Sequence, residues 1–296
     1  MSRLKADFLL LTAAIIWGAA FIAQKNSFAH LGPCAFVFAR FFLSALAVAP
    51  FAWRETKQVP FATWRGHILP IIITCICFAA GVLTQQAGVG QTSVTNAGFI
   101  TGLYVIFVPL ICSFAFKQKL SPWIAPAALL SLLGVRLLAG GSLSTLGMGD
   151  ALVFACAAGF GVQVAMLGQL LPRLKTPLAL SFLQYAVVAA AALIGMLLFE
   201  SPSLGDFRAQ IWSILYAGLL SGGVAYTLQA VAQQHAPASD CAILLSAESL
   251  FAALFAAFLL GERLTGLQYA GGALILLAIV MTEAVPLLMK KKAVPA

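Results

Sequence analysis

The sequence predicts an all-α integral membrane protein: ten transmembrane helices arranged as two inverted five-helix repeats around a central cavity. Three observations carry that expectation. The chain is 62% hydrophobic and 9% charged, against roughly 25% charged in an average soluble domain. It contains ten apolar stretches, each close to the roughly 20 residues a helix needs to cross a bilayer. Its halves also echo each other at an offset of 144 residues: Lys119-Leu120-Ser121 reappears as Arg263-Leu264-Thr265, Gln85 as Gln229, and Phe38, Phe107 and Phe114 as Phe182, Phe251 and Phe258. Five crossings per half, an odd number, would turn the second repeat upside down. Inverted repeats of this kind build secondary carriers, with the binding site at the repeat interface.

With no water in the hydrocarbon layer, backbone amides must be satisfied within each segment, so the spans are helices. The first, 7–26, ends at Gln24-Lys25-Asn26 and lacks the small-residue cleavage site of a signal peptide. Trp17 lies in its middle, away from the interface where membrane tryptophans concentrate. There it stacks on a ligand or on a cation, or fills a gap between helices. The second span, 34–53, follows Leu31-Gly32-Pro33 and carries Arg40 among Phe38, Phe41 and Phe42. Its repeat mate is Gln184, beside Tyr185. A charge within a span is costly and marks a functional candidate. A guanidinium fork suits a substrate carboxylate or phosphate; bonding to helix carbonyls or snorkelling is the structural alternative.

The third span, 68–87, holds Phe78 and Gln85, with Gly81 and Gly88 on the stripe of Gln85. The fourth, 94–116, offers Phe99, Tyr104 and, more weakly, Asn96, and contains Pro109. The fifth, 122–140, starts after Ser121-Pro122 and bears Arg136 near its end. The sixth, 149–169, opens on Asp150, where a carboxylate suits the free amides of a helix start, and carries Gln163. The seventh, 178–199, lies between Lys175-Thr176-Pro177 and Glu200-Ser201-Pro202. In the eighth, 209–231, the residues Gly218, Gly222, Tyr226, Gln229 and Gln233 follow spacings of four, four, three and four, hence one helical face. Small residues allow close approach and Gln and Tyr supply hydrogen bonds, so this stripe either walls a polar pocket or joins helices.

The ninth span, 240–260, follows Ala236-Pro237 and carries Glu248, the most deeply placed acid. A carboxylate there is suited to binding a proton or holding a substrate ammonium; a neutral acid satisfied by a neighbouring helix is the alternative. The tenth runs over 267–288. Glu200, Glu262 and Glu283 read as boundary residues. Trp17, Phe78, Phe99 and Tyr104 together suggest an aromatic-lined cavity.

The net charge of +8 is distributed by topology and is no nucleic-acid footprint. With the N-terminus in the cytoplasm, twelve basic residues fall on that side: Arg3, Lys5, Arg54, Lys57, Arg65, Lys117, Lys119, Arg173, Lys175 and Lys290 to Lys292. Three fall opposite: Lys25, Arg208 and Arg263. This positive-inside bias places both termini in the cytoplasm and the protein in the cytoplasmic (inner) membrane. The six cysteines sit in or at the ends of apolar spans without metal-ligand spacing and read as packing. Only His30, His67 and His235 are present, all at span ends or in loops. No HExxH, GxSxG or phosphate-binding loop occurs, and no ATP-hydrolysing domain accompanies the spans. An enzyme or primary pump is therefore disfavoured. No cofactor is expected, and the anticipated partners are a small-molecule substrate and the lipid bilayer, with the monomer as the working unit.

The run Ala257-Phe258-Leu259-Leu260-Gly261-Glu262-Arg263-Leu264-Thr265, followed by Gly271-Gly272-Ala273, resembles the closing signature of EamA-type repeats in the drug/metabolite transporter superfamily. Trp17-Gly18-Ala19-Ala20-Phe21, Pro33 and Arg40-Phe41 resemble the opening of the same repeat. The resemblance covers essentially the whole chain, as repeats over 1–144 and 145–296. It implies ten helices, cytoplasmic termini, a central cavity and export of a small metabolite, with amino-acid exporters of the YddG type as the nearest branch. A carrier of nucleotide sugars, vitamins or cationic drugs is the rival reading, and a channel a more distant one. One departure stands out: the ninth span has Glu248-Ser249 where the family often has Glu-Pro, which puts that helix's flexibility in question.

Overall fold

The computed structural model describes residues 1–92, 94–138, 147–260 and 263–292, with the side chains of 61, 95, 96, 260 and 283–292 excluded. Glu262 and the side chains of Asn96, Glu283 and Lys290 to Lys292, all considered above, thus lie outside the described residues. The fold is all-helical. In chain order its apolar segments are α1 (Arg3–Ser27), α2 (Pro33–Thr56), α3 (Ile68–Gln91), α4 (Val94–Thr101 with Tyr104–Phe114), α5 (Ile124–Leu138), α6 (Met148–Leu174), α7 (Pro177–Phe199), α8 (Ile211–Leu215, Tyr216–Ala225 and Tyr226–Gln233), α9 (Ala238–Leu245 with Ala247–Leu260) and α10 (Gly266–Lys292). Among the described residues, eight of these positions are long and apolar enough to cross a membrane. Within the described residues, Ile124–Leu138 and Gly266–Thr282 are shorter apolar helices. Pro33 and Pro177 each open a helix at its first position, where the missing N–H costs nothing.

Two expected continuous helices are broken. The fourth span turns at Gly102 and Leu103, and the ninth turns at Ser246, where the amide of Ser246 bonds the Ala242 carbonyl. The break in α9 lies two residues before Glu248 and needs no proline. The eighth helix departs further: Tyr216–Ala225 is a π-helix. The packing supplies a cause. Ser44 Oγ donates to the Gly218 carbonyl at 2.7 Å and Trp17 Nε1 to the Ser221 carbonyl at 3.1 Å. Carbonyls engaged from outside are released from the regular ladder, a known route to a π distortion. Gly222 is required there, because a Cβ would overlap the Ser44 hydroxyl.

Helices pair across the halves as repeat mates. α1 lies on α8 as α6 lies on α3; α1 meets α9 as α6 meets α4; α2 meets α8 as α7 meets α3. The self-mated pairs α2–α7 and α5–α10 complete the pattern. Individual contacts repeat as well. A Cβ on Gly18 of α1 would come within 2.6 Å of Phe251 Cβ, and one on Gly161 of α6 within 2.7 Å of Phe107 Cβ, so each glycine permits close backbone approach. Glu200, expected as a mere boundary residue, accepts from the Cys34 and Ala35 amides at 2.8 Å each, capping the start of α2. Reciprocally, Glu55 at the end of α2 accepts from the Ala179 amide at 2.7 Å and caps α7. Each carboxylate meets free amides at a helix's positive end. The C-terminal end of each helix therefore sits at the N-terminal end of the other: α2 and α7 are antiparallel.

Candidate functional site

A narrow cavity with about 30 Å³ of free volume lies between the halves. Its wall takes Trp17, Phe21 and Gln24 from α1, Arg40 from α2, Gln85 from α3 and Tyr104 from α4. The second half adds Phe160 and Gln163 from α6, Ser221, Tyr226 and Gln229 from α8 and Glu248 from α9. Eight of the ten residues singled out from the sequence thus line one cavity.

Arg40 is 2% exposed. Its Nη2 donates to Ser221 Oγ at 3.0 Å and its guanidinium lies 4.9 Å from the Phe41 ring centre, while Nε has no partner. It neither snorkels nor bonds a helix carbonyl. Trp17 fixes the same corner: its indole N–H reaches the Ser221 carbonyl, and its ring stands 4.5 Å from that of Tyr226. On the other helix pair, Glu248 and Tyr104 are electrostatic neighbours. Yet neither Glu248 Oε1 nor Tyr104 Oη closes a hydrogen bond. Arg40 and Glu248 are not ion-paired with one another.

The glutamines add to the polar lining of the same cavity. Gln85 Nε2 donates to Thr101 Oγ1 at 3.3 Å and Gln163 Nε2 to Gln184 Oε1 at 3.0 Å. Gln229 Nε2 donates to Gln233 Oε1 at 3.1 Å, and Gln233 passes its own donor to the Val164 carbonyl at 3.0 Å. Gln229 Oε1 is left without a partner. Most buried polar atoms in proteins are satisfied, and each that is not has an energetic cost. Here unpartnered atoms of both signs, the Arg40 Nε donor and the Glu248 and Gln229 oxygens, belong to residues of one cavity. Such a site can orient a polar ligand that brings its own donors and acceptors.

Two expectations need correction. Phe78 stands one layer back, packed edge-on against Tyr226 with ring centres 4.8 Å apart. Phe99 sits in a different cluster, with Ile100, Val135 and Ala252, and borders a second cavity among α4, α5, α9 and α10. In a chain with 22 phenylalanines, aromatic type alone does not say which face a ring occupies. Sequence reasoning also missed Ser221, Gln24 and Phe160. Ser221 lies between the glycines of α8, and its role follows only from the approach of Arg40 and Trp17.

Arg136, by contrast, is exposed at the last turn of α5, as expected of a helix-end residue. Asp150 accepts from the Gly147 amide at 2.9 Å and from Thr92 Oγ1 at 2.6 Å, joining α6 to the end of α3. Among the described residues, no group of three His, Cys, Asp or Glu could hold a metal ion.

Comparison with known proteins agrees over the full length. An uncharacterized transporter of Archaeoglobus fulgidus is 32% identical over 96% of this chain and 87% of its own. The uncharacterized transporter YoaV of Bacillus subtilis is 22% identical over 92% and 94% of the two chains, and a chloroplastic WAT1-related protein of Arabidopsis thaliana is 22% identical over 93% and 68%. One solved crystal structure superposes with a TM-score of 0.79 over 99% of this chain and 100% of its own, at 17% identity, which shows the fold. Residues 4–140 and 147–283 each match the EamA-like transporter family. The chain is therefore a multi-pass membrane transporter and no enzyme, and it belongs to the EamA-like transporter family as two tandem copies of the repeat.

Proposed function

We propose that this transporter exports small zwitterions, namely amino acids with apolar side chains, across the cytoplasmic membrane by alternating access. In this reading Arg40 holds the substrate carboxylate and Glu248 its ammonium group. Trp17 and Tyr226 cover the apolar side chain, while Gln85, Gln163 and Gln229 orient the remainder. The observation that carries it is one cavity lined by a buried guanidinium and a buried carboxyl that are not paired with each other, each retaining an unpartnered atom. A zwitterion satisfies both ends at once. A phosphorylated substrate would call for several cations, and Arg40 is the one among the cavity-lining residues.

The architecture belongs to the same proposal: ten crossings, repeats over 1–144 and 145–296 inverted relative to each other, both termini in the cytoplasm and a monomer as the working unit. The antiparallel α2–α7 pair supports the inversion, since mates run in opposite directions. The charge bias supports the orientation. Purified protein in proteoliposomes should move labelled neutral apolar amino acids faster than empty vesicles do, whereas nucleotide sugars and cationic drugs should not move. Transport of one of those and of no amino acid would overturn the substrate assignment. Cysteine labelling should reach the 54–66 loop and the C-terminal tail from the cytoplasm and the 139–149 link from outside. Termini on opposite faces would overturn the topology.

A further inference from the structure

Outside the central cavity, α2 and α7 enclose a long apolar groove on their outer surface. At the α2 C-terminal end it is lined by Ala52, Trp53, Val59, Trp64, Ala179 and Phe182, with about 970 Å³ of space counting its open side. Phe182 also borders the next stretch, about 770 Å³, where Phe38, Phe42, Ala186 and Leu193 continue the walls and floor. From Trp53 to Phe38 the groove follows α2 for 15 residues, or about 22 Å at the helical rise. That reaches from an interface past the middle of a roughly 30 Å hydrocarbon core.

The mouth of this groove is basic. Arg54, Lys57, Arg65, Arg173 and Lys175 are all exposed on the segments that meet at this end, the α2 terminus, the helix Phe61–Arg65 and the α6–α7 turn. Lys57 Nζ stands 5.3 Å from the Trp53 ring centre. Lys175 ends α6 in the left-handed region, at φ 56°, two residues before Pro177 opens α7. Trp64 anchors the short helix Phe61–Arg65 onto the cluster of Leu170, Leu171 and Leu174. The acid at this end, Glu55, is committed to the Ala179 amide. The opposite end of the same helix pair exposes Leu197, Leu198 and Phe199, and in the segment 200–210 that follows, Arg208 is the single cation. Apolar length with a cationic mouth at one end matches one kind of occupant.

We propose that this groove seats one anionic phospholipid, an acyl chain lying along α2 and α7 and the phosphate held among Lys57, Arg65 and Lys175. The two helices come from different repeats, so the lipid would bridge the halves. The proposal stands independently of what the central cavity carries. Its test is tryptophan quenching in phosphatidylcholine vesicles doped with brominated phosphatidylglycerol or with brominated phosphatidylcholine of the same chains. The Trp53 contribution is isolated by comparison with Trp53→Phe. The brominated anionic lipid should quench Trp53 at a much lower mole fraction, since each cation near the headgroup is worth about fivefold. Lys57→Gln with Lys175→Gln should lower that preference by more than about tenfold. Ala186→Phe should block the groove and weaken quenching although the cations remain, which diffuse surface attraction would not do. Equal quenching of the wild type by both lipids would overturn the proposal, whatever the variants do. So would a preference untouched by both the charge removals and the blocked groove.

Discussion

The residues that hold the two halves together are the same in both, whereas those that face the cavity differ. Glu55 caps α7 as Glu200 caps α2, and Phe107 meets Gly161 as Phe251 meets Gly18. In the cavity the 144-residue offset sets Arg40 against Gln184, Glu248 against Tyr104 and Tyr226 against Val82. Gln85 and Gln229 remain alike, and so in type do Trp17 and Phe160, which share the 143-residue spacing of Gly18 and Gly161. A symmetric frame is the cheap way to build two mirrored half-pathways. On the proposed reading, an asymmetric lining gives the bound molecule one preferred orientation, because its positive and negative ends would meet different residues. Symmetry serves the fold and its loss serves recognition.

The largest expected effect comes from making the site symmetric again. Arg40→Gln installs the residue of its mate and removes a buried charge. Truncating one partner of a buried charged hydrogen bond costs roughly 2–5 kcal/mol, so substrate affinity should fall at least about 30-fold in proteoliposome assays. Expression and thermal stability should hold, since the unpartnered Nε is no longer buried. Transport within a factor of two of wild type would break the comparison. Next comes Glu248→Gln, which keeps size and hydrogen bonding but abolishes ionisation. It should insert normally and lose about tenfold or more in transport, in line with roughly 1.5–3 kcal/mol for a charge-assisted bond, or lose its pH dependence. Tyr104→Phe, at the mate position, should cost less. Equal losses at both positions would mean that the asymmetry carries no recognition.

The frame should respond in matched pairs. Gly18→Ala and Gly161→Ala each push a methyl group into a phenylalanine Cβ on the facing helix, an overpacking worth about 1–3 kcal/mol. Thermal unfolding in detergent should show similar losses for the two. The smallest effects belong to the caps: Glu55→Gln and Glu200→Gln should each cost about 1 kcal/mol, again alike. A loss at one member of either pair with none at its mate would show that the halves are not equivalent frames.

Much of this division was legible in the sequence. Polar residues inside apolar spans are rare enough that Arg40, Gln85, Gln163, Gln229 and Glu248 announced themselves, and burial in a membrane leaves them few places but a shared interior. The repeat offset exposed the Gln85–Gln229 and Phe107–Phe251 pairs. The caps were hidden because Glu55 and Glu200 are 145 residues apart, one out of register with the 144-residue pairs, and because an acid at a span end has many roles. The π-helix was hidden too, since the Ser44 and Trp17 side chains that draw out its carbonyls come from α2 and α1. The face-determining partners of Phe78 and Phe99 likewise lie on other helices, beyond what spacing within one span reports.

The central claim is that one cavity reads both charges of a zwitterion in a fixed orientation. Competition in proteoliposomes tests it directly, using an unlabelled amino acid, its decarboxylated amine and its deaminated acid against the labelled amino acid. The wild type should be inhibited strongly by the intact amino acid and weakly by either derivative. Arg40→Gln should no longer distinguish the amino acid from the amine, and Glu248→Gln should no longer distinguish it from the acid. Strong competition by a derivative lacking one charge, or discrimination unchanged in both variants, would contradict the assignment.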